Sequence, residues 1–321
     1  MELLDYFESL GRTGAAPILG YPGARALGLS AMECLLNPEL HAKVARHNVE
    51  KFGPDVALPL LDLTVEAEAF GAKPIFEGAE APSIGATPSL EEAAEAPVLE
   101  PPRARSMVEA ARTMSERIKG VPNGFFVTGP FTVAGQVIGI ENLLKGAFKG
   151  EQKVLKLLDS CTEVVTGYSK ALDAAGVDFL VMADPSSSLI SPALFERLSK
   201  PRISKIRSAV SSGVVLHICG RSGHLVKQMV ETGVAGISLD ENVKLADALA
   251  SVPSSFLVFG NYSPTNLLFE TPLQIASNVR MMLEQVKGSK NVVGSTGCDI
   301  PPSAPFENIE AFIRAVKSFR I

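Results

Sequence analysis

The sequence predicts an α/β protein: a single (β/α)8 barrel over residues 1–321, with a helical N-terminal extension and a hairpin or loop excursion near residues 77–102. Two observations predict it. Short, continuously apolar segments alternate with amphipathic helical patterns, and runs without polar alternation suit strands buried on both faces of a parallel sheet. These segments number eight, which favours a closed barrel over an open doubly wound sheet. No Gly-x-Gly-x-x-Gly follows the first of them, which weakens a dinucleotide-binding fold. No fixed-period repeat is visible, so solenoids and propellers are excluded.

In chain order, residues 1–8 read as the first turns of a helix and an N-terminal strand is expected near residues 17–19. Residues 38–52 are helix-like, and residues 57–63 form the next strand. Residues 77–102 break the rhythm, with Pro82, Pro88, Pro97, Pro101 and Pro102, several Glu and no Lys or Arg, which marks an exposed acidic excursion. Further strands are expected at 125–128, 179–183, 214–218, 234–239, 256–260 and 292–295. Residues 152–175 place Val154, Leu158, Cys161, Val165 and Leu172 at helical spacing, and residues 305–319 put Ile309, Phe312, Ile313 and Val316 on one stripe.

Thirty basic residues against 35 acidic ones give a net charge of -5, so no overall positive field exists to hold a nucleic-acid backbone or an anionic bilayer. Small molecules or proteins are the expected partners. The N-terminus carries acids where a secretory signal would carry a basic start, and no run reaches the ~18 apolar residues of a membrane span. A cytoplasmic location is expected. Four scattered cysteines are too few for a disulfide framework, which leaves thiols available for chemistry or metal.

The strongest chemical pattern is His217-Ile218-Cys219 at the end of one strand, with Cys298 after another, in Ser295-Thr296-Gly297-Cys298-Asp299. Residues two apart on a strand face the same side, and barrel active sites gather at C-terminal strand ends. One His and two Cys are donors that zinc prefers, and three protein ligands are the number of a catalytic rather than a structural site. A buried strand-end His and two ordinary core thiols are the plainer alternative. Cys34 and Cys161, among apolar residues in helix-like segments, are expected in the core. His41 and His47 do not share a helix face and read as solvated positions. Arg221 and Ser222 precede His224 at an expected helix start, which suits either an anionic group or a plain cap. Among strand-end carboxylates, Asp184 and Glu66 stand out, with Asp62, Asp240 and Glu241, as possible zinc ligands, supports for His217, or proton acceptors for an entering thiol; helix capping is the competing role.

Several motifs carry a resemblance. They are Leu216-His217-Ile218-Cys219-Gly220, Glu231-Thr232-Gly233-Val234-Ala235-Gly236, Gly260-Asn261, and Ser295-Thr296-Gly297-Cys298-Asp299-Ile300-Pro301-Pro302. Asp62-Leu63-Thr64-Val65-Glu66 and Ala183-Asp184-Pro185 extend it over nearly the whole chain. With these the sequence resembles the methylcobamide:coenzyme M methyltransferases of the uroporphyrinogen decarboxylase superfamily. The resemblance implies a (β/α)8 barrel, zinc held by His217, Cys219 and Cys298, and a small thiol substrate such as coenzyme M bound at the metal. It implies a methyl group delivered from methylcobamide by a corrinoid protein that docks transiently. The arginine-rich substrate motif of the decarboxylase branch is not found near residues 12–20, but Asp62 occupies a place like the decarboxylase aspartate. A metal-free decarboxylase acting on a tetrapyrrole is therefore the alternative, and a non-catalytic zinc-stabilised barrel is a third reading.

Overall fold

The computed structural model describes residues 2–93, 97 and 102–320. Nine strands are described: β1 (Gly14–Ala15), β2 (Lys73–Ile75), β3 (Ser83–Ala86), β4 (Gly124–Thr128), β5 (Phe179–Ala183), β6 (Gly213–Ile218), β7 (Gly236–Leu239), β8 (Leu257–Tyr262) and β9 (Val292–Thr296). Seven of them form one parallel sheet in the order β1-β9-β8-β7-β6-β5-β4, while β2 and β3 pair antiparallel as a separate hairpin. Strands β4, β5, β7, β8 and β9 are buried at every residue, as expected of a parallel sheet covered on both faces.

The eighth stave is irregular. Residues 55–57 run between β1 and β4: Asp55 N–H donates to Ala15 O at 2.7 Å, Ala57 N–H to Pro122 O at 2.9 Å, and Gly124 N–H to Ala57 O at 2.9 Å. Only Ala57 forms a ladder bridge, to Asn123. The sequence pattern predicts a strand over 57–63, but Pro59 lacks the N–H a ladder requires. The stave still alternates, because Val56 and Leu58 line the barrel interior with Ala16, Val181, Val215 and Phe259. Likewise the first strand lies at Gly14–Ala15, ahead of its expected place, since Pro17 cannot donate to the ladder. The result is a (β/α)8 barrel, with the C-terminal helix Phe306–Ser318 packed against β1 and the helix Pro272–Glu284.

The expected helical N-terminal extension is the one helix Leu3–Ser9, while the helices Tyr21–Ala26, Ala31–Leu36 and Pro38–Phe52 lie between β1 and the irregular stave. Asn37 caps the last, its side-chain oxygen accepting from the N–H groups of Glu39 and Leu40. This helix buries His41, Val44, Ala45, Asn48 and Phe52. His41 is thus not solvated. Its Nε2 accepts from Leu60 N–H at 3.0 Å and its ring packs against Phe125, so it holds the irregular stave where Pro59 interrupts the ladder. The acidic excursion is a hairpin that starts earlier than expected, at Lys73, followed by a helical turn, Leu90–Ala93, and Pro102 already opens the helix Pro102–Arg117. Residues 94–96 and 98–101 of that expected excursion lie outside the described residues. Among the described residues no helix is long and apolar enough to cross a membrane.

Candidate metal centre at the barrel mouth

Val215 on β6 lines the barrel interior, so His217, two residues on, points the same way one layer nearer the mouth. Beyond the strand the chain turns at Gly220, whose φ of 77° suits glycine, and this turn carries Cys219. Cys298 follows β9 in the same manner. Tyr262 O at the end of β8 accepts from Gly297 N–H at 2.7 Å, fixing the approach of that loop.

These three residues come together. Nε2 of His217 lies 2.7 Å from Sγ of Cys219, and Sγ of Cys219 lies 3.4 Å from Sγ of Cys298. The three donor atoms all fall within 4.8 Å of one another, and they are the one such group of three among the described residues. His217 is buried, while both cysteines are half-buried. Nδ1 of His217 sits 3.0 Å from the hydroxyl of Ser238, its register partner on β7. With Nδ1 donating to that hydroxyl, Nε2 turns a lone pair toward the sulfurs. The hydrogen bond between the sulfurs holds the Cys298 thiol below the ordinary thiol range and Cys219 above it, with His217 further lowering Cys298.

Asp240, buried at the end of β7, fastens the loop that carries Cys219. Its two oxygens accept from Gly220 N–H and Asn242 N–H, each at 2.8 Å. Glu241 beside it is exposed, and its backbone nitrogen lies 2.6 Å from where a side chain at position 297 would place its Cβ, with its Oε2 equally near. Glycine is therefore required immediately before Cys298. The Ser263 hydroxyl contacts Glu241 at 3.4 Å.

Glu66 and Asp184 lie at the same end of the barrel, each committed to hydrogen bonds. Glu66 accepts from Thr128 N–H at 2.6 Å and from the Thr128 hydroxyl at 2.7 Å, at the end of β4. Burial pushes its carboxyl up to about 7, although these two donors favour the charged form. Asp184 accepts from Thr132 N–H and the Ser187 hydroxyl, each at 2.7 Å, and burial raises its carboxyl as well. It caps the helix Pro130–Ile138, which follows the neighbouring strand, rather than a helix of its own. Its backbone N–H donates to His217 O at 2.9 Å, tying it to the donor-bearing strand. Asp62 accepts from Thr64 N–H and hydroxyl through one oxygen and pairs with buried Arg103 through the other.

The expected helix start after Cys219 takes another form. Ser222 is buried and donates its hydroxyl to Ile218 O at 2.8 Å and its N–H to Gly220 O at 2.8 Å, so both groups close the turn. Only a 3-10 turn, Ser222–Leu225, and a five-residue helix, Val226–Val230, follow. Arg221 is exposed, with no ion-pair partner among the described residues.

Residues 17–319 match the model of the uroporphyrinogen decarboxylase (URO-D) family. Methylcobamide:CoM methyltransferase MtaA of Methanosarcina barkeri is 33% identical over 301 residues, covering 90% of this chain and 87% of its own. A uroporphyrinogen decarboxylase of Synechococcus sp. is 28% identical, covering 88% of this chain and 83% of its own. Among solved structures, a methyltransferase from Methanosarcina mazei matches with a TM-score of 0.85 at 28% identity, covering 98% of this chain and 96% of that one. The chain belongs to the uroporphyrinogen decarboxylase family, in the branch of the methylcobamide:CoM methyltransferases.

Proposed function

We propose that this protein is a zinc-dependent methyltransferase that moves a methyl group from a corrinoid, carried by a partner protein, to a small thiol such as coenzyme M. The convergence of His217 Nε2, Cys219 Sγ and Cys298 Sγ at the barrel mouth carries this reading. The donor set fits the ion. Tetrahedral zinc, with Zn–S of ~2.3 Å and Zn–N of ~2.0 Å, sets its donor atoms roughly 3.5–3.8 Å apart; the sulfurs stand at 3.4 Å, close to that spacing, and the 2.7 Å between Nε2 of His217 and Sγ of Cys219 would open by less than about 1 Å to admit the ion. When bound, zinc lowers the pKa of a coordinated thiol so that it is held as the more nucleophilic thiolate near neutral pH.

The chain's own residues prepare that site. Ser238 fixes the His217 ring, and Asp240 and Tyr262 pin the two loops that bring the cysteines together. Three protein donors leave a position for the thiol. Glu241, exposed beside the Cys298 loop and contacted by the Ser263 hydroxyl at 3.4 Å, is the carboxylate we assign to a fourth position before substrate enters. Glu66 and Asp184 act as positioning residues that hold β4, β5 and β6 in register through Thr128, Thr132 and the His217 carbonyl. Arg221, next to the Cys219 turn, is the cation that would meet an anionic tail on the thiol, with Ser222 supporting the turn. The mouth, where these groups gather, is where the corrinoid protein would dock, transiently.

The decarboxylase alternative would employ Asp62. Both of its carboxylate oxygens are engaged by Arg103 and Thr64, which supports methyl transfer instead. The test is demethylation of methylcobalamin by the zinc-loaded protein with coenzyme M, followed through the corrinoid spectrum. Thiol-dependent demethylation is expected, lost in Cys298→Ala. A methylcobalamin spectrum unchanged with coenzyme M and with other small thiols contradicts the reading.

A further inference from the structure

The four cysteines divide into two kinds. Cys34 and Cys161 are completely buried in the helices Ala31–Leu36 and Gln152–Ala174. Cys219 and Cys298, 79 positions apart in sequence, are half-buried with their sulfurs 3.4 Å from each other. A disulfide needs the sulfurs to close to about 2.05 Å. The strands end at Ile218 and Thr296, so both cysteines lie on loops, flanked by Gly220 and Gly297, and the adjustment falls outside the ladder.

We propose that Cys219 and Cys298 form a peroxide-sensitive modification site: oxidation joins them in a disulfide that withdraws two of the three metal donors in one event. The thiol of Cys298 attacks one oxygen of a hydroperoxide. The O–O bond breaks, the thiol proton goes to the leaving alkoxide or hydroxide, and Cys298 becomes a sulfenic acid. The sulfur of Cys219 then attacks that sulfur, the S–O bond breaks, and the departing hydroxide leaves as water with the Cys219 proton. Two thiols lose two electrons, and the peroxide gains them. Metal and oxidant compete for the same sulfur lone pairs, so zinc protects the pair and its loss exposes it. Disulfide formation stands independently of the methyl-transfer reading; the protection by zinc rests on it.

The test treats metal-free and zinc-loaded protein in parallel with hydrogen peroxide, followed by digestion without reduction and mass spectrometry. The metal-free protein is expected to give a Cys219–Cys298 cross-linked peptide that a dithiol reductant reverses, while the zinc-loaded protein keeps both thiols. Cys219→Ser should carry Cys298 on to sulfinic and sulfonic acid. If Cys298 of the parent protein reaches sulfinic acid without a cross-link, as fast as in Cys219→Ser, the proposal is overturned. Equal cross-linking with and without zinc supports the thiol pair and contradicts the metal reading, so the two failures are distinct.

Discussion

The hydroxyl of Ser238 stands 3.0 Å from Nδ1 of His217, across a register pair of β6 and β7. A strand ladder, rather than a flexible loop, therefore sets which nitrogen of the imidazole faces the sulfurs.

Ser238→Ala should keep the fold and weaken zinc. Loss of a hydrogen bond that orients a ligating histidine costs roughly 10–100-fold in metal affinity. A competition titration with a chromophoric chelator measures this. Unchanged affinity would mean that packing alone orients the ring.

His41 makes stability depend on pH. Burial lowers its pKa to about 4, and Leu60 N–H, donating to Nε2, occupies the lone pair that a proton would take. Between pH ~6.5 and ~4 the unfolded chain therefore binds a proton that the folded protein does not. Its contribution is complete above pH ~6.5 and is lost as pH falls through this window, the loss reaching roughly 3 kcal/mol by the lower end. Urea midpoints at neutral and mildly acid pH, compared with His41→Gln, isolate the effect. The variant should lose part of the acid sensitivity of its parent; identical slopes would contradict this role.

Asp55 locks the opposite end of the barrel. Arg12 makes two 2.8 Å bonds to its carboxylate, Ala15 N–H one of 2.8 Å, and Lys317 lies at 3.0 Å. Burial alone would raise this carboxyl, but Arg12, Ala15 N–H and Lys317 outweigh it and hold it below the ordinary range. The resulting stability is present above pH ~4 and is lost as pH falls through the depressed value. Asp55→Ala leaves Arg12, Lys317 and an amide without their acceptor and should cost about 2–4 kcal/mol in chemical unfolding. A loss under ~0.5 kcal/mol, the scale of an ordinary surface change, would show that this cluster does not close the barrel.

The barrel was legible where one physical signal dominated. Strand β5 and the helix Pro38–Phe52 match their expected bounds because an unbroken apolar run, and an Asn37 cap with Gly53 beyond, mark them locally. The stave near Ala57 was found as an apolar run, but Pro59 denies it a ladder, and only His41 and the neighbouring strands reveal how it is held. The spacing between two histidines says nothing about which face of a helix is buried, so it cannot place His41 against Leu60 and Phe125. The convergence of His217, Cys219 and Cys298 followed from strand period and barrel geometry. The roles of Glu66 and Asp184 depend on partners 62 and 52 residues away, Thr128 and Thr132, which no local pattern names. The same holds for Glu241, whose place against Gly297 is a long-range contact.

Metal analysis of protein purified without added metal, beside Cys298→Ala, tests the central claim most directly. The account requires about one zinc per chain in the parent, as for a three-ligand catalytic site, and little in the variant. Full zinc occupancy in Cys298→Ala, or none in the parent after reconstitution with zinc, would contradict it.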